Sequence, residues 1–322
     1  MDERLLESEA SDVGGLLWRV SEESKKLWRI TFPAILSRVT AFGIFVVTQA
    51  FVGHFGSTEL AAYAIMQILG VQFVFGILIG MSSATETLCG QAYVVKLSVS
   101  SGVMLCLELW YNAILVLLAG YMKNASVAIS AFSICLNIST WEFMICLGFL
   151  VGVSVRVSNE LGRGNAKAAH FAVKVVLGSS IVIGVILWIL CLLFGRELAY
   201  IFTSDEDVVE TVSSLSVLLA FTILLNSVQP VFSGVAVGCG RQGMVAWVNI
   251  GSYYVIGIPL GVVLGYVANL DVQGIWIGMI IGVAIQTLVL GTIIWRTNWD
   301  AQVEKAAERL SKFLQKPEDD EP

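Results

Sequence analysis

The sequence is poor in charged residues and in proline. Only 14% of its 322 residues are Asp, Glu, Lys or Arg, and five are Pro, whereas soluble domains are about 25% charged. Apolar residues account for 57% of the chain, and the mean hydropathy is +0.81. A water-soluble fold of this size could not bury that much apolar surface, and a disordered chain would be far more polar. The composition therefore indicates a polytopic membrane protein.

The sequence also lacks the patterns of a metal site, a disulfide framework or an enzyme. None of the six cysteines forms a Cys-x-x-Cys pair, and the two histidines, His54 and His170, are far apart. No nucleophile and base are paired in a recognisable motif. The net charge of −6 gives no general attraction for nucleic acid. We therefore expect no cofactor, no metal, no nucleic-acid partner and no enzymatic activity.

Eight apolar segments are long enough to cross a bilayer, which takes about 20 residues in a helix. They cover residues 30–52, 61–82, 99–121, 127–153, 172–193, 212–237, 244–267 and 274–295. This predicts an all-α membrane protein with about eight transmembrane helices. Residues 1–29 are polar and acidic, unlike a cleavable signal peptide, and form a predicted cytoplasmic segment. Residues 297–322 form a predicted cytoplasmic tail that begins with an amphipathic helix.

The distribution of Lys and Arg predicts the orientation. With the N-terminus in the cytoplasm, 16 of the 19 basic residues lie on the cytoplasmic side. Only Lys123 and Arg196 lie on the opposite side, and Arg38 falls inside the first span. This split requires an even number of spans, with both ends of the chain in the cytoplasm.

Glu108 is a carboxyl group near the middle of the third predicted span. Tyr111 and Asn112 follow at i+3 and i+4 and therefore share its helix face. Ionisable groups inside a bilayer are costly and usually face a cavity or a partner. Glu108 is either a site that takes up and releases protons or a permanently protonated hydrogen-bond donor.

The sixth predicted span carries a polar stripe beside a proline. Asn226, Gln229 and Ser233 lie at i, i+3 and i+7, with Pro230 between them. A helix broken by proline frees backbone carbonyls, which line the substrate path in many transporters. The alternative is that these amides only join neighbouring helices by hydrogen bonds.

Two further spans carry polar residues in apolar surroundings. The fourth has Asn137 and Trp141 on one face with Glu142 beside them, and the seventh has Asn249 and Tyr253 one turn apart. We predict that these residues line a cavity.

Arg38 and Glu86 are two more ionisable residues in apolar segments. Glu86 lies near the end of a span, so capping or exposure at the interface is as plausible as burial. Arg38 either pairs with Glu86 or extends along the helix to the cytoplasmic side.

Seven segments carry motifs of one known family, in that family's order. They are Phe-Val-Gly-His-Phe-Gly at 51–56, Glu-Leu-Ala-Ala at 59–62, Glu-Thr-Leu-Cys-Gly-Gln-Ala-Tyr at 86–93, Val-Ser-Val-Arg-Val-Ser-Asn-Glu-Leu-Gly at 153–162, Gln-Pro-Val-Phe-Ser-Gly-Val-Ala-Val-Gly-Cys-Gly at 229–240, Tyr-Val-Ile-Gly-Ile-Pro-Leu-Gly at 254–261 and Trp-Arg-Thr-Asn-Trp-Asp at 295–300. The sequence resembles plant multidrug and toxic compound extrusion (MATE) transporters of the DETOXIFICATION type over nearly all of residues 22–312.

The resemblance implies a shortened member of that family. Such transporters have twelve helices in two six-helix lobes and exchange protons or sodium for organic solutes. Here residues 30–93 resemble the first two helices of the N-terminal lobe, and residues 97–296 resemble a complete six-helix C-terminal lobe. Helices three to six of the family pattern have no counterpart between residues 93 and 97.

The resemblance also implies roles for particular residues. Glu108 matches the family's proton-coupling glutamate, whereas Asn226 stands where many plant members have an aspartate. Glu142 is the candidate that could replace that aspartate. The expected cavity residues are Tyr111, Asn112, Asn137, Trp141, Asn226, Gln229, Asn249 and Tyr253.

The function that follows is antiport in the vacuolar or plasma membrane. The expected transporter exports or sequesters organic small molecules and xenobiotics in exchange for protons, with sodium as the second choice of ion. The alternative is a shortened, non-transporting form that associates with the lipid bilayer or with a full-length relative.

Overall fold

A computed structural model describes residues 2–67, 70, 92–121 and 125–314. Within these ranges the chain is helical and contains no strand, which confirms the all-α prediction. The helices are α1 (Asp2–Gly53), α2 (Ser57–Ile65), α3 (Ala92–Ala119), α4 (Ala125–Gly162), α5 (Ala166–Tyr200), α6 (Glu206–Asn226), α7 (Gln229–Gly238), α8 (Gln242–Asn249), α9 (Ile258–Val262), α10 (Asp271–Trp295) and α11 (Trp299–Leu314). Two π-helical segments, Ile250–Gly257 and Val263–Val267, flank α9.

Six described segments are long and apolar enough to cross a membrane. They are Gly15–Gly53, Ser126–Gly162, Ala166–Tyr200, Glu206–Gly238, Gln242–Val267 and Asp271–Trp295. These six correspond to the first and the fourth to eighth predicted spans, and α3 coincides with the third. The second predicted span is described only at its start, and most of it, including Glu86, lies outside the described residues. The chain is an integral, multi-pass membrane protein.

α1 extends far beyond the predicted first span. It begins at Asp2, passes through Pro33 and ends at Gly53, a length of 52 residues. The polar segment before residue 30 is therefore helical. On this segment, Lys25 donates a 2.8 Å hydrogen bond to Glu22, at the i, i+3 spacing that supports a helix.

Local hydrogen bonds define where several helices begin and end. α4 ends at Gly162, and the turn that follows contains Gly164, whose φ of 76° suits the left-handed conformation after a helix. Asn165 then begins α5, because its side chain accepts a 3.0 Å hydrogen bond from the amide of Ala168. Asp205 begins α6 in the same way, with its carboxylate accepting from the amides of Asp207 and Val208.

The middle of α1 and the final helix α11 contribute to one apolar cluster. Leu27 of α1, Leu161 of α4 and Trp299 and Val303 of α11 belong to one apolar cluster. At the end of α1, the turn at Gly53 lies directly against the backbone of Phe202. The even number of spans stays a prediction, because most of the second predicted span lies outside the described residues.

Glycines allow α4 to contact α1 on one side and α7 on the other. A Cβ at Gly152 would lie 2.1 Å from the Thr31 hydroxyl of α1. On the opposite side, a Cβ at Gly234 of α7 would lie 2.5 Å from the carbonyl oxygen of Leu150. Small residues permit this close approach between membrane helices. α4 is thus held firmly between its two neighbours.

A second set of glycines joins α10 to the segment that contains α9 and the π-helical turns. Glycines 257, 261 and 265 are spaced by four residues, as are glycines 274, 278 and 282. A Cβ at Gly278 would lie 2.4 Å from the backbone of Gly261, and one at Gly274 would lie 2.5 Å from the amide nitrogen of Gly265. The two backbones are therefore in direct contact.

The sixth predicted span is broken, as its proline predicts. α6 ends at Asn226, and α7 begins at Gln229 with Pro230 in its first turn. Pro230 has no N–H to donate to the carbonyl of Asn226, so the helical ladder is interrupted there. Ser180 of α5 donates a 2.7 Å hydrogen bond to the carbonyl of Ser227, which supports the break from outside.

Candidate functional site: a cavity between the helices

A cavity of about 510 Å³ lies between α1, α3, α4, α6, α7, the first π-helical segment and α10. Its volume falls in the usual range for small-molecule sites, about 300–1,000 Å³. The walls are largely aromatic and apolar, with a smaller number of polar groups. The polar and charged lining residues are Arg38, Gln67, Glu108, Asn112, Ser139, Thr140, Thr222, Asn226 and Gln229.

Six of the predicted site residues meet at this cavity. Its lining includes Glu108, Tyr111, Asn112, Asn226, Gln229 and Tyr253. They come from four different parts of the chain: α3, the end of α6, the start of α7 and the first π-helical segment. The helix face predicted for Glu108 thus points into the space between the helices rather than toward lipid.

Two stacked tyrosines lie on the Glu108 side of the cavity. The rings of Tyr111 and Tyr253 are 4.6 Å apart and nearly parallel, at 10°. The Tyr253 hydroxyl donates to the side-chain oxygen of Gln286, and the Gln286 amide donates in turn to Asn249. This chain of hydrogen bonds fixes the Tyr253 ring, and through the stack it also orients Tyr111.

Glu142 lies behind the cavity wall and is buried. One of its carboxylate oxygens accepts a 2.9 Å hydrogen bond from the thiol of Cys146, and the other accepts at 3.1 Å from the Asn226 amide. The same amide donates to Ser139 at 3.2 Å. Because Asn226 and Ser139 both line the cavity, Glu142 is connected to it through a single amide.

The remaining predicted cavity residues lie outside the lining. Asn137 and Asn249 are buried in helix contacts, and Asn249 serves as the acceptor for Gln286. Trp141 is 43% exposed, and its indole N–H donates to the carbonyl of Val39 on α1 at 3.4 Å. A two-residue change along α4 turns a side chain by about 200°, which separates Trp141 from the cavity-lining Ser139.

Sequence reasoning missed the contribution of α1 to the cavity. Arg38, Phe42 and Phe45 lie on one helix face and form part of the wall. The sequence predicts for Arg38 either a pair with Glu86 or an extension to the cytoplasmic side, and neither alternative includes the cavity. Gln286 was also missed, although a glutamine in the long apolar run 274–295 is itself a signal of an internal polar contact.

This architecture defines a class of protein. Membrane-spanning helices enclose a cavity lined by aromatic residues and a carboxyl group, and one of the lining helices is broken beside it. These are features of a secondary transporter. The sequence model of the MatE family matches residues 33–95 and 101–263, and the chain belongs to this family of membrane transporters.

Curated relatives agree with this assignment. Protein DETOXIFICATION 24 of Arabidopsis thaliana is 36% identical, over 100% of this chain and 96% of the relative. Protein DETOXIFICATION 20 of the same plant is also 36% identical, over 95% of this chain and 94% of the relative. The first alignment extends over 483 positions, whereas this chain has 322 residues. The relative therefore has a segment that this chain lacks, consistent with the predicted shortening.

Solved structures show the same fold. The crystal structure of the eukaryotic MATE transporter AtDTX14 matches with a TM-score of 0.63 at 24% identity, over 91% of this chain and 83% of that one. An inward-facing MATE family transporter of the MOP superfamily matches with a TM-score of 0.52 at 12% identity, over 90% of this chain and 92% of that one. At these identities the likeness concerns the fold alone.

Proposed function

We propose that this protein exchanges protons for organic small molecules through the cavity, with Glu108 as the main proton-linked group. The observation that carries the proposal is the position of Glu108 on the cavity wall, beside the stacked pair Tyr111 and Tyr253. An ionised carboxylate next to aromatic faces attracts a positively charged group of a substrate. A proton on the same carboxyl removes that attraction, so proton and substrate compete for one group.

Glu142 is proposed as a second proton-linked group. Its carboxylate reaches the cavity through Asn226, which donates to it at 3.1 Å. The protonation state of Glu142 can therefore change how the Asn226 amide is presented to a substrate. Asn112 and Gln229 are proposed to contact the substrate through their own amides.

The test is transport by the purified full chain in liposomes with an imposed pH gradient and a fluorescent amphipathic dye as substrate. We expect gradient-driven uptake that Glu108→Gln abolishes, because the amide resembles the protonated carboxyl and cannot titrate. Glu210→Gln is the matched control, since Glu210 is exposed and lies outside the cavity. Uptake that is equally fast in Glu108→Gln, with unchanged pH dependence, contradicts the role of Glu108.

A second candidate function follows from the shortened sequence. The segment that DETOXIFICATION 24 has and this chain lacks favours a form that does not transport alone and associates with a full-length relative. The position of α1, whose residues Arg38, Phe42 and Phe45 form one cavity wall, favours transport by the single chain. Liposomes that contain this chain alone, the relative alone, or both distinguish the two. Uptake that is absent with this chain alone, and altered when it is added to the relative, supports the second candidate.

A further inference from the structure

Arg38 places a permanent positive charge on the cavity wall. It lies on α1 and shares a helix face with Phe42 and Phe45, four and seven residues later. The side chain is half-buried. A guanidinium group is not deprotonated in proteins, so this charge is present in every protonation state of the other cavity groups.

No described residue neutralises this charge. Among the described residues, no carboxylate lies within 4.0 Å of the Arg38 guanidinium, and no hydrogen bond to it is formed. Glu108 lines the same cavity but forms no ion pair with it. The carboxylate of Glu142 is occupied by Cys146 and Asn226. A cation in apolar surroundings is costly without a partner, so a bound anionic group would relieve that cost.

The cavity therefore presents two separate charges of opposite sign. Arg38 is fixed, whereas Glu108 can exchange its charge for a proton. Phe143, Met144 and Leu147 of α4 contribute apolar wall between the helices. A complementary ligand has an aromatic body, an anionic group for Arg38 and a cationic group for Glu108.

We propose that Arg38 is a specificity residue and that the substrate class is an amphipathic zwitterion. The guanidinium binds a carboxylate or sulfonate group of the ligand, since its planar donors match the two oxygens of such a group. Glu108 and the tyrosine pair bind the cationic part. This inference rests on the proposed function and names its substrate class, and it agrees with proton exchange because protonation of Glu108 releases the cationic part.

The test compares two dyes that differ in one group. Rhodamine B carries a cationic ring system and a free carboxylate, and its ethyl ester keeps the cation but lacks the carboxylate charge. We would measure the affinity of both by fluorescence polarisation with the full chain in detergent, without a gradient. We expect the acid to bind about tenfold or more tightly than the ester, as for one hydrogen-bonded ion pair.

The variants separate the two charges. Arg38→Gln should lower the affinity for the acid about tenfold or more and leave the affinity for the ester unchanged. The preference for the acid then disappears. Glu108→Gln should lower the affinity for both dyes by a similar factor, because both carry the cationic ring system. Arg196→Gln is the control, since Arg196 is exposed and lies outside the cavity. A preference that persists in Arg38→Gln reflects the size of the ester and overturns the proposal.

Two further results would overturn the proposed role of Arg38. Equal affinity for acid and ester in the unaltered protein overturns the inference without any variant, so a failure of Arg38→Gln to fold does not protect it. A preference that appears only in Glu86→Gln shows that Glu86 normally neutralises Arg38, and this also overturns it. Because binding is measured without transport, an acid preference in a protein that transports nothing counts against the proposed function alone.

Discussion

Arg156 of α4 donates two hydrogen bonds to the carboxylate of Glu23 of α1, Nε to Oε1 at 2.7 Å and Nη2 to Oε2 at 2.9 Å. Both side chains are buried. Glu160, one turn further along α4, lies 3.0 Å from the same guanidinium and also contacts the exposed Arg163. A bidentate ion pair thus fixes the part of α1 around Glu23 to the end of α4. Hydropathy identifies this part of α1 only as a polar segment.

Removal of Arg156 should destabilise the protein strongly. Arg156→Ala leaves Glu23 and Glu160 buried without their shared partner, and breaking a buried pair in this way typically costs about 3–5 kcal/mol. The measurement is the free energy of unfolding in mixed detergent micelles. Lys25→Ala is the control, because the Lys25–Glu22 pair is exposed and should contribute nothing measurable. If Arg156→Ala and Lys25→Ala lowered the free energy of unfolding equally, the buried ion pairs would contribute no more to stability than the exposed pair.

Gly278→Ala should destabilise the contact between α10 and α9. The added Cβ would lie 2.4 Å from the backbone of Gly261, so the two helices must separate. Overpacking of this kind costs about 1–3 kcal/mol. Gly178→Ala adds the same methyl group on α5, where nothing lies within 4 Å, and should be neutral or stabilising by up to about 1 kcal/mol. Stabilisation of both variants would refute the direct backbone contact.

Gln286 should be coupled energetically to Tyr253. Gln286→Leu leaves the buried Tyr253 hydroxyl without its acceptor, at a cost of about 1–3 kcal/mol. Tyr253→Phe removes the hydroxyl itself, so the double variant should lose less stability than the sum of the single variants. A double-mutant cycle on the unfolding free energy measures this coupling, which should be about 0.5 kcal/mol or more. Strict additivity would mean that the bond does not orient the tyrosine.

Single cysteines introduced at Ala10, Arg196 and Lys305 should report the topology. With the native cysteines replaced, a membrane-impermeant thiol reagent added to sealed vesicles should label positions 10 and 305 from the same side and position 196 from the other. The reason is the charge split, together with the packing of Leu27 and Trp299 in one cluster. Labelling of positions 10 and 305 from opposite sides would require an odd number of spans.

Periodicity and charge predicted the helices well where each helix can be identified from its own residues. The break beside Pro230 follows from a missing donor, and the polar face of Glu108 follows from helical spacing. Both are local properties. The glycine spacing at 257, 261 and 265 was not used as a prediction, and the sequence does not show that glycines 274 and 278 lie against it.

Contacts between distant segments could not be predicted in this way. Hydropathy placed the first helix at residue 30, because a window average cannot detect a helix held by ion pairs such as Glu23–Arg156. The position of Arg38 in the cavity could not be predicted either, because it depends on how α1 packs against α4. The exposure of Trp141 likewise depends on the rotation of α4 against its neighbours.

The break between α6 and α7 at Ser227 and Val228 is a point at which the sixth span can bend. α6 carries Thr222 and Asn226 at the cavity, and α7 carries Gln229 there and packs against α4 through Gly234. Two helices that meet at a break in the hydrogen-bond ladder can bend relative to each other at that point. We therefore expect a movement of Asn226 to bend the chain at Ser227 and Val228, which would change the shape of the cavity.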